Sequence, residues 1–346
     1  MVITMDNSSS LNMDAFDVRE KKGFSGSTLK LIAIVTMLID HTAATILDRM
    51  LIARGMGDLY NAKAVQDFMD ANWLLYNIDH TMRMIGRLGF PLFCFLLVEG
   101  FLHTRNILKY TVRLAIFAII SEIPFDLALF GTVYYPNYQN VFFTLFFGML
   151  VMIGFKAIAE KAKDKKWLPA LAVFGAIALG LASSYAFNGL INFYNSYIIK
   201  SGYYSSFSLS GMGMVIAIIF CVIALLVYLV LCRVGLAKSA SVIFADFTVL
   251  IIGMFLAEIL KTDYSGFGVL TIAVMYALRR NHFTSMLGGC ITLTIMFLGE
   301  APAFFALIPA KLYNGERGLR LKYVFYLFYP VHLFILYLIC YFMGIV

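Results

Sequence analysis

The sequence predicts an all-α polytopic membrane protein of about 10–11 transmembrane helices, with a cytoplasmic N-terminus. Three observations carry this. Of 346 residues, 61% are hydrophobic and only 14% charged, whereas a soluble domain is nearer half apolar and a quarter charged. Apolar runs recur from Leu29 to the C-terminus, many near the roughly 20 residues that span a hydrocarbon core. A β-barrel would instead show about ten-residue stretches of alternating polarity. Finally, Lys and Arg cluster in alternate connections, the pattern that marks the cytoplasmic side.

In order, the apolar segments fall at 29–48, 88–103, 112–130, 141–159, 167–187, 209–232, 241–260, 266–280, 283–299, 301–311 and 321–345. The 301–311 segment is short and holds Pro302 and Pro309, so it reads as a crossing, as a re-entrant piece or as fused to its neighbour. The basic clusters test the order. Arg19, Lys21, Lys22 and Lys30 precede or open the first segment, and Arg105 and Lys109 follow the second. Then come Lys161, Lys163, Lys165 and Lys166; Arg233 and Lys238; Arg279 and Arg280; and Lys311, Arg317, Arg320 and Lys322. With the N-terminus inside, all lie on the cytoplasmic side, and the opposite connection GTVYYPNYQN has no charge. Residues 1–27 read as a cytoplasmic tail, too long and too acidic for the start of a signal peptide. Residues 28–346 read as one transmembrane domain in the cytoplasmic membrane. The outer connections 49–83 and 188–208 are the places to receive something from outside. The net charge of +7 is accounted for by topology and does not imply nucleic acid. Five scattered cysteines without a CxxC suggest neither a disulfide framework nor a metal site.

Ionisable residues at membrane depth are costly and are functional candidates by default. Asp40 and His41 stand in LKLIAIVTMLIDHTAATIL. About 12 residues into the first segment, His41 lies roughly 18 Å from its cytoplasmic end. Helix neighbours point about 100° apart, so Asp40 does not face His41. The group that orients His41 must come from another helix, Glu122 being at compatible depth, and Asp40 is expected to pair elsewhere, with an arginine for example. Arg83 and Arg87 sit at the outer mouth of the second segment, and Glu99 near its inner end. Glu122 and Asp126 are four apart and share a helix face; Pro124 between them kinks the helix. Arg87 is at the depth to neutralise them, either in a catalytic site or as a clamp between helices. Asp246 and Glu258 lie in the seventh segment, and His332, in FYLFYPVHLFILY, is at a depth similar to His41. No phosphate-cradling glycine loop, nucleophile-elbow serine or metal-binding spacing is present. The residues leave histidine chemistry with carboxylate support, or transport.

Several stretches together resemble the TraX family: LKLIAIVTMLIDHTA, IGRLGFPLFCFLLVEGFLHTRN, KYTVRLAIFAIISEIPFDL, NVFFTLFFGML, LKTDYSGFGVL, and LYNGERG followed by FYLFYPVHL. The resemblance covers about residues 28–160 and 258–335; about 165–245 departs from it and reads as extra helices. The family is named for a conjugation protein that N-acetylates the pilin subunit. It looks related to membrane acyltransferases that move an acyl group from cytoplasmic acyl-CoA to an acceptor, with a histidine in an early helix implicated. The resemblance places His41 at that position. Its matched polar positions also include Asp40, Arg87, Glu99, Arg105, Glu122, Asp126, Asp263, Asn314 and His332.

The expected function is therefore acyl transfer, with acetyl-CoA as donor and no metal. His41 would act as general base or nucleophile, with Glu122 as catalytic partner. Asp40, Arg87, Glu99, Asp126, Asp263 and His332 would support the site. Arg105, Lys109, Arg113, Asn314, Arg317, Arg320 and Lys322 are candidate partners for the anionic end of CoA. The acceptor is open among a pilin terminus, an amino sugar, a polysaccharide hydroxyl and a small amine. The rival expectations are a proton-coupled transporter and a non-catalytic assembly factor for pili or envelope polymers.

Overall fold

A computed structural model describes residues 23–58, 61–162, 166–200, 213–319 and 322–345. Most of the tail, the end of the 188–208 connection and Arg320 lie outside these. Among the described residues the regular structure is helical, with two isolated β-bridges, Phe24–Tyr313 and Gln139–Thr262.

The first helix, α1 (Gly26–Thr42), starts at a tight clasp. Ser25 caps it by accepting the Thr28 N–H. The Gly26 and Ser27 N–H groups donate to the Glu316 and Arg317 carbonyls at 2.7 and 3.1 Å. Donors that a helix start leaves orphaned are thus satisfied by the NGERG loop. α1 runs on through a π-helical turn, Ala43–Leu47, into α2 (Asp48–Ala53). A short helix, α3 (Ala62–Ala71), leads to α4 (Trp73–Gly86) and α5 (Gly89–His103), which together make one apolar stretch of 31 residues.

The second long apolar helical stretch therefore begins at Trp73 and not at residue 88. Asp79, Arg83 and Arg87 make hydropathy read this turn as loop. Ion pairs to neighbouring segments let it remain helix at depth. Two glycines bring it close to α1. A methyl group at Gly86 would overlap the Asp40 carboxylate, and one at Gly89 would lie 3.5 Å from Thr36 Oγ1. Small residues that let backbones approach are a main device of membrane helix packing. Gly86→Val is expected to destabilise the fold by about 1–3 kcal/mol. Gly57→Val, at a site with open space around it, should leave the thermal unfolding temperature unchanged in the same assay.

α6 (Ile107–Phe130) is capped by Asn106, whose Oδ1 accepts the Lys109 N–H at 2.8 Å, and ends on left-handed Gly131. α7 (Val141–Ala157) is capped by Asn140. α8 (Leu168–Lys200), α9 (Gly213–Leu231) and α10 (Ala237–Ile259) share a small core of Ala172, Ala176, Ala224, Tyr228, Ala240 and Phe244. A left-handed residue, Gly235 at φ 85°, breaks α9 from α10. α11 (Ser265–Ala277) and α12 (His282–Met296) follow. A 3-10 segment (Leu298–Ala306), α13 (Leu307–Lys311) and α14 (Lys322–Met343) complete the order.

Among the described residues, six stretches are long and apolar enough to cross a membrane, consistent with an all-α polytopic membrane protein. The Pro-containing 298–311 segment is not one continuous α-helix. Its Glu300 lies beside Arg87, and the Leu312 carbonyl accepts the Phe24 N–H at 2.7 Å. It thus runs from the middle of the bundle to the end where α1 begins. Irregular backbone is tolerated at such depth where protein buries it, and Glu300, Ala303 and Ala306 are buried. The main core, with Phe95, Phe125, Met149, Ile272 and Leu333 among its members, joins α5, α6, α7, α11 and α14 around α1.

Candidate active site

His41 and His332 meet across α1 and α14. His41 Nδ1 lies 2.7 Å from His332 Nε2, and the two ring planes are within 1° of parallel. His332 Nδ1 lies 2.7 Å from the Phe328 carbonyl, one turn back on α14. This geometry fixes the protons. A carbonyl only accepts, so His332 Nδ1 carries hydrogen and donates to Phe328. In a neutral ring Nε2 is then the acceptor, so His41 Nδ1 must donate to it. A neutral His41 therefore keeps its lone pair on Nε2, to which no group among the described residues hydrogen-bonds. His332 is 5% exposed, whereas His41 retains part of its surface.

Local structure holds the pair. The α-to-π transition falls directly after His41–Thr42, and such π-bulges recur at functional sites. Thr45 Oγ1 donates to the His41 carbonyl at 2.6 Å. On α14, Pro330 cannot donate to the carbonyl four residues before it, which loosens the helix beside His332. Phe328 stacks on His332 at 4.6 Å between centroids, and Tyr329 sits edge-on to His41 at 5.7 Å.

An ionic cluster lies beside this pair. Arg83 bonds Asp40 Oδ2 at 2.7 Å, and Arg87 bonds Glu300 at 2.8 Å. Tyr264 bonds Arg87, Asp263 is within electrostatic range of both arginines, and Arg83 is within that range of His41. Asp263 comes from the 260–264 loop, which pairs with the 137–140 loop: Gln139 and Asp263 exchange backbone bonds with Lys261 and Gln139 at 3.0 and 2.8 Å. Lys261, Tyr264 and Ser265 are left-handed although none is glycine. Strain of this kind persists only where surroundings over-determine it, often at functional sites. The Tyr138 hydroxyl donates to Asp263 Oδ1 at 2.7 Å. The Asp263 charge, and burial after it, raise the Tyr138 pKa, and burial raises that of Asp263.

The other sequence-predicted residues are dispersed. His332, and not Glu122, stands at the His41 ring nitrogen. Glu122 instead accepts from the Asn140 amide, and Asp126 Oδ2 accepts the Tyr135 N–H at 2.8 Å. Arg87 does not neutralise these two acids, because Glu300 holds it. The Asn140 side-chain amide and the Tyr135 backbone N–H supply donors to these acids without a cation. Glu99 sits at the other end of α5, 3.7 Å from His282. Arg105, Lys109 and Arg317 are exposed on the side where α1 begins. Arg113 lies over the Tyr110 ring at 5.7 Å, and Asn314 belongs to the clasp on α1, its N–H bonded to the Phe24 carbonyl.

Sequence reasoning misses Glu300 and Asn140. The signal for Glu300 is a lone acid in the apolar run FLGEAPAF. Asn140, fully buried, donates to the Ala118 carbonyl at 2.8 Å and to Glu122, and caps α7 through the Phe142 N–H. Its cue is Asn just before an apolar helix. Asn140→Ala removes all three bonds and is expected to lower stability by about 1–2 kcal/mol, more than an exposed cap would. Asn106→Ala, at the exposed cap of α6, is the comparison in a thermal denaturation series.

The profile of the TraX protein family matches residues 25–240 and 218–340. The chain belongs to the TraX family. The match continues through 165–240, where none of the resembling blocks lies. A probable fimbrial assembly protein FimC, serogroup H1, of Dichelobacter nodosus is 33% identical over 137 residues, 38% of this chain and 46% of that protein. The chain thus spans about half the length of this curated relative. No solved structure matches.

Proposed function

We infer that this TraX-family protein is a membrane acyltransferase that modifies a component of the pilus or envelope, with acetyl-CoA as donor at the cytoplasmic membrane. The observation that supports it is the proton arrangement at His41. A backbone carbonyl and His332 orient the ring so that Nε2 is a base or nucleophile, the role an orienting carboxylate plays in a serine-protease triad.

In direct transfer, His41 Nε2 takes the proton of the acceptor amine or hydroxyl as it attacks the thioester carbonyl. The tetrahedral intermediate then collapses, the C–S bond breaks, and the thiolate leaves with that proton. In the alternative order, Nε2 attacks the thioester carbon, the C–S bond breaks and the thiolate leaves; the acceptor then attacks the acyl-imidazole, the C–N bond breaks to restore Nε2, and the acceptor's proton goes to the thiolate. Either way His41 becomes cationic or electron-poor, and its Nδ1–H leans on His332. Arg83, beside His41, is the candidate for stabilising the oxyanion.

The test is direct. Purified protein, acetyl-labelled CoA and a cell-envelope fraction should yield free CoA thiol and a labelled envelope product. No thiol release above a protein-free control would refute the reading, and mass spectrometry of the product would name the acceptor.

The name of the FimC relative favours a second reading, a non-catalytic fimbrial assembly factor. It predicts a stable complex with a fimbrial protein and full assembly when His41 is replaced.

A further inference from the structure

The geometry points to a phosphate-binding site at the α12–α13 end of the bundle, separate from the exposed arginines and lysines of the 105–113 and 317 region. A cavity of about 330 Å³ opens there, lined by Arg280, Asn281, His282, Phe283, Ala310 and Lys311. Its charged and protonatable walls are Arg280, Lys311 and His282, and no carboxylate lines it. Neither Arg280 nor Lys311 has an ion-pair partner among the described residues. Cations without counter-ions around one cavity are the arrangement that receives a phosphate or pyrophosphate.

The site is also braced. Glu99, 7% exposed, stands behind the cavity wall with Oε1 3.7 Å from His282 Nε2. Phe95 packs edge-on to the His282 ring at 5.7 Å, and Tyr313 packs against it at 5.0 Å. With Nε2 turned toward Glu99, Nδ1 is the atom left for a ligand. Held side chains lose little freedom on binding. The volume is at the small end for ligand pockets, so it takes a phosphate-bearing head and not a whole nucleotide cofactor. α12 presents its N-terminal, positive end here as well.

This inference deepens the acyl-transfer reading and rests on it only for the source of the phosphate. His41 lies about 15 residues along α1 from the same end of the bundle, or roughly 22 Å. A donor with its phosphates in this cavity must carry its acyl group on a slender arm of about that length, as a phosphopantetheine thioester does. A phospholipid headgroup presents the same phosphate chemistry.

The experiment measures binding to the full-length protein in nanodiscs of neutral lipid, with inorganic pyrophosphate and adenosine 3′,5′-bisphosphate as soluble probes. Wild type should bind, and Arg280→Gln/Lys311→Gln should bind at least tenfold more weakly. Arg54→Gln/Lys63→Gln, exposed and outside the cavity lining, should match wild type. In a second arm the nanodiscs contain phosphatidic acid. Retention of that lipid through Arg280 and Lys311, with the soluble probes unable to displace it, assigns the site to a headgroup. Equal binding by wild type and the Arg280/Lys311 variant in both arms, or binding in neither, overturns the site. His41→Asn should bind the probes as wild type does, and intact probe binding by wild type without any thiol release would count against acyl transfer alone.

Discussion

His41→Asn is expected to lower acyl transfer by about 10²–10⁴-fold, the range general-base or nucleophile loss commonly covers, while the protein still inserts and folds. Asn can keep a hydrogen bond toward His332 Nε2 through its amide, so α1 and α14 stay docked. It has no lone pair of suitable basicity where His41 Nε2 stood. The measurement is the rate of CoA thiol release at saturating donor, with thermal unfolding run beside it. His332 provides the finer test, because it touches no reacting atom. His332→Ala removes the acceptor that fixes the His41 tautomer and should cost on the order of 10–10³-fold in kcat with little change in donor KM. His332→Gln, whose carbonyl oxygen can accept from His41 Nδ1, should recover part of it. Equal activity in wild type, His332→Ala and His332→Gln would sink the positioning role. Normal transfer by His41→Asn would sink the assignment of chemistry to His41.

Arg87→Leu is expected to destabilise the protein by about 3–5 kcal/mol, the cost of stranding a buried partner. Glu300 is 2% exposed and bonds Arg87 at 2.8 Å, while its other oxygen has no hydrogen-bond partner. Without the arginine, the carboxylate must stay charged in an apolar site or take up a proton. The double variant Arg87→Leu/Glu300→Leu should regain most of the loss, because removing both partners of a buried pair is often close to neutral. Thermal unfolding of the two single variants and the double variant gives the coupling directly. A double variant as unstable as the sum of the singles would show that the pair does not hold the 298–306 segment against α4 and α5. Since Arg87 also reaches Tyr264 and Asp263, recovery of stability need not restore transfer.

The class of fold was legible from the sequence because a bilayer demands long apolar helices with internally satisfied backbones. The limits of that logic show at particular places. The Trp73–Gly86 helix hid behind its charges, since hydropathy sums residue costs and cannot know that Asp40 awaits Arg83. The 298–311 segment kept its ambiguity because its prolines break helical hydrogen bonding, and burial against α12 is a tertiary fact. The Asp40–His41 doublet was readable as two residues with separate faces, which follows from helical geometry alone.

The partners were not readable. Glu122 and His332 both stood at depths compatible with His41, and depth does not distinguish helices that neighbour α1 from those that do not. The docking of α14 against α1 decided for His332, and the hydrogen bond to Phe328 then fixed which nitrogen bears the lone pair. By itself the sequence determined the membrane class, the order of most apolar helices and the candidate histidines, because length, apolarity and periodicity are local properties. The tertiary structure decided which ionisable groups meet, because contact between distant segments depends on how helices pack. At this site, those contacts give His41 a free Nε2 and leave Glu122 with an asparagine.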